Sequence, residues 1–249
     1  MISGKTIIVS LSCLWLLSAC SVKESVQIKT EDLSRQIENV VETVAPKPTT
    51  VKSDGLPDKH LISTAFVPQA PEKIWDQPWQ DACEEAALLT VDYYYRGIKT
   101  GIPILLADYQ KIFDFEATES WTHDVTLAQM ATISAKLLGY QTKIIDDPTI
   151  EDIKSYLAKD IPAVVPANGK TLYQENKHFK SGGPWYHNLV ILGYDDTKKL
   201  FTVHDVGTQF GAYFRYSYTT LMDSIHDFPE SKIKEEIDNG QKRVLVLLK

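Results

Sequence analysis

Four residues in this 249-residue chain have the types and spacing needed for nucleophilic chemistry on an acyl group. Cys83 lies in Gln77-Pro78-Trp79-Gln80-Asp81-Ala82-Cys83-Glu84-Glu85-Ala86-Ala87, near the start of a predicted helix. The positive end of a helix dipole stabilises a thiolate and lowers the thiol pKa. Glu84 and Glu85 oppose that effect, so a base partner is required. Gln77 stands six residues upstream, on the turn into the helix, where its amide could donate to a tetrahedral oxyanion beside the Cys83 N–H. Gln80 competes with it, but falls in the first turn and could cap the helix instead.

His187 opens the most apolar strand, His187-Asn188-Leu189-Val190-Ile191-Leu192-Gly193-Tyr194, and a ring at a strand mouth can be held rigidly while facing a cleft. The following strand, Leu200-Phe201-Thr202-Val203-His204-Asp205, ends in an acid. A hairpin turning at about residue 196 brings Asp205 beside His187, where it would orient the imidazole and stabilise its protonated form. His204 competes for the base role. It adjoins Asp205, however, so the two side chains point to opposite faces of a strand and make a poor dyad. Asp195 and Asp196 read as turn residues. The bland alternative for Cys83 is a buried core residue, a common fate of free cysteines.

The elements that must position these groups form an α+β pattern. Phe66-Val67-Pro68 reads as a short lead-in strand and 79–95 as a helix with Cys83, Ala86, Ala87, Thr90, Val91 and Tyr94 on one stripe. Helices follow at 105–115 and 127–138, a strand at 140–145, and a helix at 149–159 with Thr149 as N-cap. Strands then dominate, at 161–166, 186–194, 200–205, 212–218 and 244–248. Helices first and a mainly antiparallel sheet after them indicate helices packed on one sheet. The polar and aromatic stretch from Asn168 to Trp185 is either a lining of the cleft or a surface insertion.

Gln-x5-Cys at a helix start, His at a strand start and Asp eighteen residues later resemble the C39-like cysteine peptidases of the papain-like superfamily. The resemblance covers most of 65–249, including 150–157, Ile161-Pro162-Ala163-Val164-Val165, Gly193-Tyr194-Asp195, Asp205-Val206-Gly207-Thr208 and 218–225. It implies Cys83 as nucleophile, His187 as general base and acid, Asp205 as orienting residue and Gln77 as oxyanion donor, on a papain-like fold without a cofactor. Peptides or proteins would be the substrates. Glu84 stands where the family often has Gly, and Val206 where it often has Pro. The transmembrane and ATP-binding parts of the C39 transporters are lacking, so their leader-trimming role is not implied.

The N-terminus reads as an export segment. Lys5 precedes the uncharged run 7–17, of a length suited to a signal core and too short to span a bilayer, which takes about 20 apolar residues. It closes on Leu17-Ser18-Ala19-Cys20, which resembles a bacterial lipobox. That resemblance implies removal of 1–19, diacylglyceryl attachment to the Cys20 sulfur, and a membrane anchor outside the cytoplasm. Cys13 is then a filler of the signal core. Residues 20–64 read as a flexible tether with a short helix around the stripe Leu33, Ile37, Val40, Val41 and Val44, and 65–249 as the peptidase domain.

Three cysteines make no disulfide framework, and their spacing is not that of a zinc site. A net charge of −7 argues against a nucleic-acid partner, and 43% hydrophobic residues exclude wholesale disorder. A monomer is expected. Two further functional classes stay open on sequence alone: a surface peptide-binding or adhesion lipoprotein on the same fold, and a cell-wall amidase or acyl transferase using the same triad.

Overall fold

The most apolar strand of the sequence lies inside the sheet, and much of the fold is what covers it. The structure, a computed structural model, describes residues 55–99, 101–121 and 124–249. The expected signal segment, the acylation site Cys20 and the Leu33–Val44 stripe lie outside the described residues.

In chain order the elements are β1 (Lys59–Leu61), α1 (Cys83–Arg96), α2 (Ile102–Thr118), α3 (Leu127–Lys136), β2 (Gln141–Asp146), α4 (Ile150–Leu157) and β3 (Ala163–Asn168). There follow α5 (Gly169–Leu172), β4 (Tyr186–Asp195), β5 (Leu200–His204), β6 (Phe214–Ser217), α6 (Tyr218–Ser224) and β7 (Arg243–Leu248). The strands make one antiparallel sheet in the order β2-β7-β3-β4-β5-β6, with β1 also on β4. This is the α+β arrangement of helices and mainly antiparallel sheet that the sequence pattern indicates.

Nine successive residues of β4, Tyr186 to Tyr194, are buried. Because side chains alternate across a strand, both faces of β4 must be covered, and α1 and α4 pack on it. Local signals set the helix ends. Thr126 with Gln129, and Thr149 with Asp152, form capping boxes at the starts of α3 and α4. Ser217 caps α6 through the Thr220 N–H.

The structure differs from the sequence pattern at both approaches to the site. Phe66-Val67-Pro68 is irregular, and the first strand among the described residues is Lys59–Leu61, inside the segment expected to be tether. The reason lies in β4. β3 pairs with it only from Tyr186 to Ile191, and β1 takes up Gly193 to Asp195 beyond. Gly193 permits this approach, since a Cβ there would stand 2.3 Å from the His60 carbonyl oxygen. The helix expected from Trp79 is also interrupted. Trp79–Asp81 is a 3-10 turn, Ala82 leaves helical geometry (φ −98°, ψ 31°), and α1 begins at Cys83 itself. Nor is α1 buried along one stripe: every residue from Cys83 to Tyr93 is buried.

One ion pair inside the fold joins α4 to the end of β4. Lys154, 1% exposed, places Nζ 2.7 Å from Asp196 Oδ2 and 5.1 Å from the Tyr194 ring centroid. Removing one partner of a buried pair leaves the other charged and poorly solvated. Lys154→Met is therefore expected to destabilise the protein by about 3 kcal/mol, read as a lowered urea midpoint with unchanged m-value.

Candidate active site

Cys83 is the first residue of α1, so its backbone N–H has no acceptor within the helix. His187 is the second residue of β4 and Asp205 follows the last residue of β5. Their pairing is not the register expected from the hairpin. Val190 stands opposite His204, and the ladder shifts between Ile191 and Gly193, which leaves Leu192 as the extra residue of a bulge. Continuing the register puts Asp205 opposite Leu189, two residues from His187. The carboxylate reaches the ring diagonally, with His187 Nε2 2.9 Å from Asp205 Oδ1 and both side chains buried.

Asp205 is completely buried and accepts two further hydrogen bonds on Oδ2, from Asn176 Nδ2 at 2.8 Å and Tyr216 Oη at 2.5 Å. Burial alone would raise its pKa. The His187 charge and the donors from His187, Tyr216 and Asn176 more than offset this, so the carboxyl titrates below its ordinary range. The ring itself has no room to slide. A Cβ at Gly207 would sit 2.6 Å from His187 Cε1, and Phe179 packs edge-on against the imidazole at 5.3 Å. With Nε2 committed to Asp205, Nδ1 is the nitrogen left for a reacting partner.

Cys83, 4% exposed, lines the same cleft as His187. Its hydrogen bonds go elsewhere: Sγ–H donates to Glu84 Oε2 at 3.0 Å, and Asn188 Nδ2 donates to Sγ at 3.9 Å. No hydrogen bond joins it to His187 in this structure. Burial, and after it the Glu84 carboxylate, push the thiol well above its ordinary pKa. The lowering expected from the helix dipole is therefore overridden, because burial among acids disfavours a further negative charge.

Gln77 is not brought to the cleft. It is exposed, and its amide donates to Asp81 Oδ2 at 2.5 Å. The glutamines that do line the cleft are Gln80, Gln209 and the buried Gln69. Gln69 Nε2 donates to the Trp79 and Gln80 carbonyls at 3.0 and 2.9 Å, and its backbone N–H to Val206 O at 3.0 Å. It thereby ties the turn before Cys83 to the residue after Asp205. The sequence signal for it was a lone polar residue between Pro68 and Pro71. Asn176, Asn188 and Tyr216 were also missed; Asn188 alone stood out, as an amide inside the most apolar strand.

The cleft holds about 760 Å³. The stretch before β4 lines it through His178, Phe179, Lys180, Ser181, Pro184 and Trp185, which decides between the two readings of that segment. Trp75, Trp185 and Phe210 give it exposed aromatic walls, while Asp81, Asp124, Lys180 and Lys234 supply both signs of charge. Among the described residues, no group of three or more His, Cys, Asp or Glu is arranged to hold a metal ion.

Helices on an antiparallel sheet, with a cysteine and a buried His–Asp pair on one cleft, have the parts of a cysteine hydrolase. Residues 62–232, more than half of the sequence, match the Peptidase_C39 like family, and the chain belongs to that family. Among solved structures it is similar to a candidate C39-like peptidase from Bacillus anthracis, at 16% identity and a TM-score of 0.44, over 77% of this chain and 98% of that chain. No curated protein matches the sequence.

The competing histidine is accounted for structurally. His204 Nδ1 accepts from the Tyr213 N–H at 3.1 Å, which leaves Nε2–H to donate to Thr64 O at 3.3 Å. Its ring packs edge-on against Phe66 and Tyr213 at 5.2 and 4.6 Å. Burial pushes its pKa down to about 4 from an ordinary value of 6.5. Because the unfolded chain binds this proton first, the stabilisation is fully present above the unfolded value and is lost as pH falls toward the folded one. A midpoint near 4 is expected for this imidazole by NMR titration, and a loss of about 3 kcal/mol in urea-unfolding free energy across that window.

Proposed function

We propose that the chain is a cysteine peptidase on a papain-like layout, hydrolysing peptide bonds through a thioester acyl-enzyme. The observation that carries this reading is the buried His187–Asp205 bond at 2.9 Å, on the cleft that Cys83 lines. In the first half-reaction His187 Nδ1 takes the Cys83 proton and Sγ attacks the peptide carbonyl carbon. The tetrahedral oxyanion is met by the orphan N–H of Cys83. Collapse breaks the C–N bond, His187 returns its proton to the leaving amine, and the thioester remains. In the second, His187 takes a proton from water, hydroxide attacks the thioester, and the acid leaves as the thiol regains its proton. Asp205 holds the ring and stabilises its cationic form throughout. Gln77 has no part in these steps with its side chain where it lies.

The lipobox-like end of the signal run supports a further proposal, that acylated Cys20 holds the enzyme at a membrane outside the cytoplasm. An exported thiol is open to oxidation, so activity is expected to require reducing conditions.

A second reading, a peptide-binding module without turnover, is favoured by the burial of Cys83 and by its hydrogen bond to Glu84. Peptides released from a cell-envelope digest, followed by mass spectrometry, separate the two. A peptidase releases peptides as wild type and none as Cys83→Ala, whereas a binding module shows no difference between them. Gly207→Ala, which drives a methyl into the imidazole, is expected to lower kcat/KM by about 100-fold or more with peptide binding retained. Unchanged kcat/KM in that variant would remove His187 from the reaction.

A further inference from the structure

Glu84 is placed to be more than a neighbour in sequence. It is completely buried, and both carboxylate oxygens accept hydrogen bonds: Oε2 from Cys83 Sγ–H at 3.0 Å, and Oε1 from the Val125 N–H at 3.1 Å. Both bonds use the carboxyl as acceptor. Burial and the Asp124 charge raise its pKa well above the ordinary range, but it is ionised when the Cys83 thiol titrates, since its charge raises the thiol. Val125 follows Asp124, which lines the cleft. The same carboxylate therefore fixes the cleft wall before α3 and the thiol at the start of α1.

The surroundings make this contact consequential. The ionisable groups facing the Cys83–Glu84 pair are Asp124 from the segment before α3, Glu85 from α1, Glu116 and Tyr109 from α2, and Tyr186 from β4. In such a setting a thiolate beside an ionised Glu84 is doubly opposed, by desolvation and by like charge. A thiol in the same place gains an acceptor. Proton and acceptor stabilise each other only while the sulfur is unreactive.

We propose that Glu84 is a positioning residue that holds the resting nucleophile as a protonated thiol, hydrogen-bonded to the Glu84 carboxylate instead of paired with His187. The significance for turnover rests on the reading of Cys83 as nucleophile. The thiol chemistry does not, since alkylation requires no substrate.

The test is the pH dependence of iodoacetamide alkylation at Cys83 in the full chain, with the Cys83 peptide followed by mass spectrometry so that Cys13 and Cys20 are resolved from it. Glu84→Gln keeps the shape and removes the charge. Its alkylation midpoint is expected at least one pH unit below wild type, with about tenfold faster reaction at neutral pH. A midpoint equal to or above that of wild type overturns the proposal. A loss of packing alone would lower the thermal midpoint without moving this profile. Should the variant fail to fold, wild type decides by infrared difference against Cys83→Ser. An S–H stretch below that of a water-exposed thiol is expected, and a band at the exposed position overturns the proposal. Peptide release by wild type against Cys83→Ala, by contrast, tests the peptidase reading and does not bear on the Glu84 proposal.

Discussion

A carboxylate with no access to water must find its donors inside the protein, and the arrangement around Asp205 follows from that need. Its oxygens take Asn176, Tyr216 and His187. Its backbone N–H donates to Gly211 O at 2.9 Å. Those partners come from the stretch before β4, from β6, from β4 itself and from the turn leading to β6. An unmet lone pair at this depth would cost on the order of 1–3 kcal/mol. The carboxylate thus draws three separate segments to one point, the backbone N–H adds a fourth, and the orientation of the imidazole is a by-product of satisfying the acid.

The acids around Cys83 solve the same problem differently. No comparable set of donors surrounds them. Glu85 and Glu116 share a hydrogen bond between carboxyls, which requires a proton on one of them, and burial raises Glu85 well above its ordinary pKa. Glu84 takes a thiol and an amide. One side of the cleft therefore keeps a negative charge by supplying a full set of donors, and the other, with fewer donors, makes each added negative charge costly. The site is electrostatically asymmetric, with the cation-stabilising half at His187 and the anion-averse half at Cys83.

Much of this was legible in the sequence where the signal is local. The cap at Thr149, the antiparallel order after the helices, and the nearness of His187 and Asp205 all rest on short-range pattern. What escaped depends on depth or on one inserted residue. Glu84 and Glu85 look like first-turn surface acids, and nothing in their own neighbourhood announces that α1 is buried on every side. The Leu192 bulge moves the register without changing the alternation of apolar residues. Gln77 has the right spacing in the chain, but Ala82 breaks the helix and the side chain turns to Asp81. Spacing counts residues, whereas the site needs directions.

The pairing of β1 with the far end of β4 bears on where this fold can be cut. A chain beginning at Ala65 would keep every residue of the cleft and lose Lys59–Leu61, so that Gly193 to Asp195 would present unpaired backbone donors and acceptors on that side. Such an open edge is a template for another strand, and here it lies beside a glycine chosen for close backbone approach. Three residues with no part in the chemistry thus keep the far end of β4 paired within its own molecule.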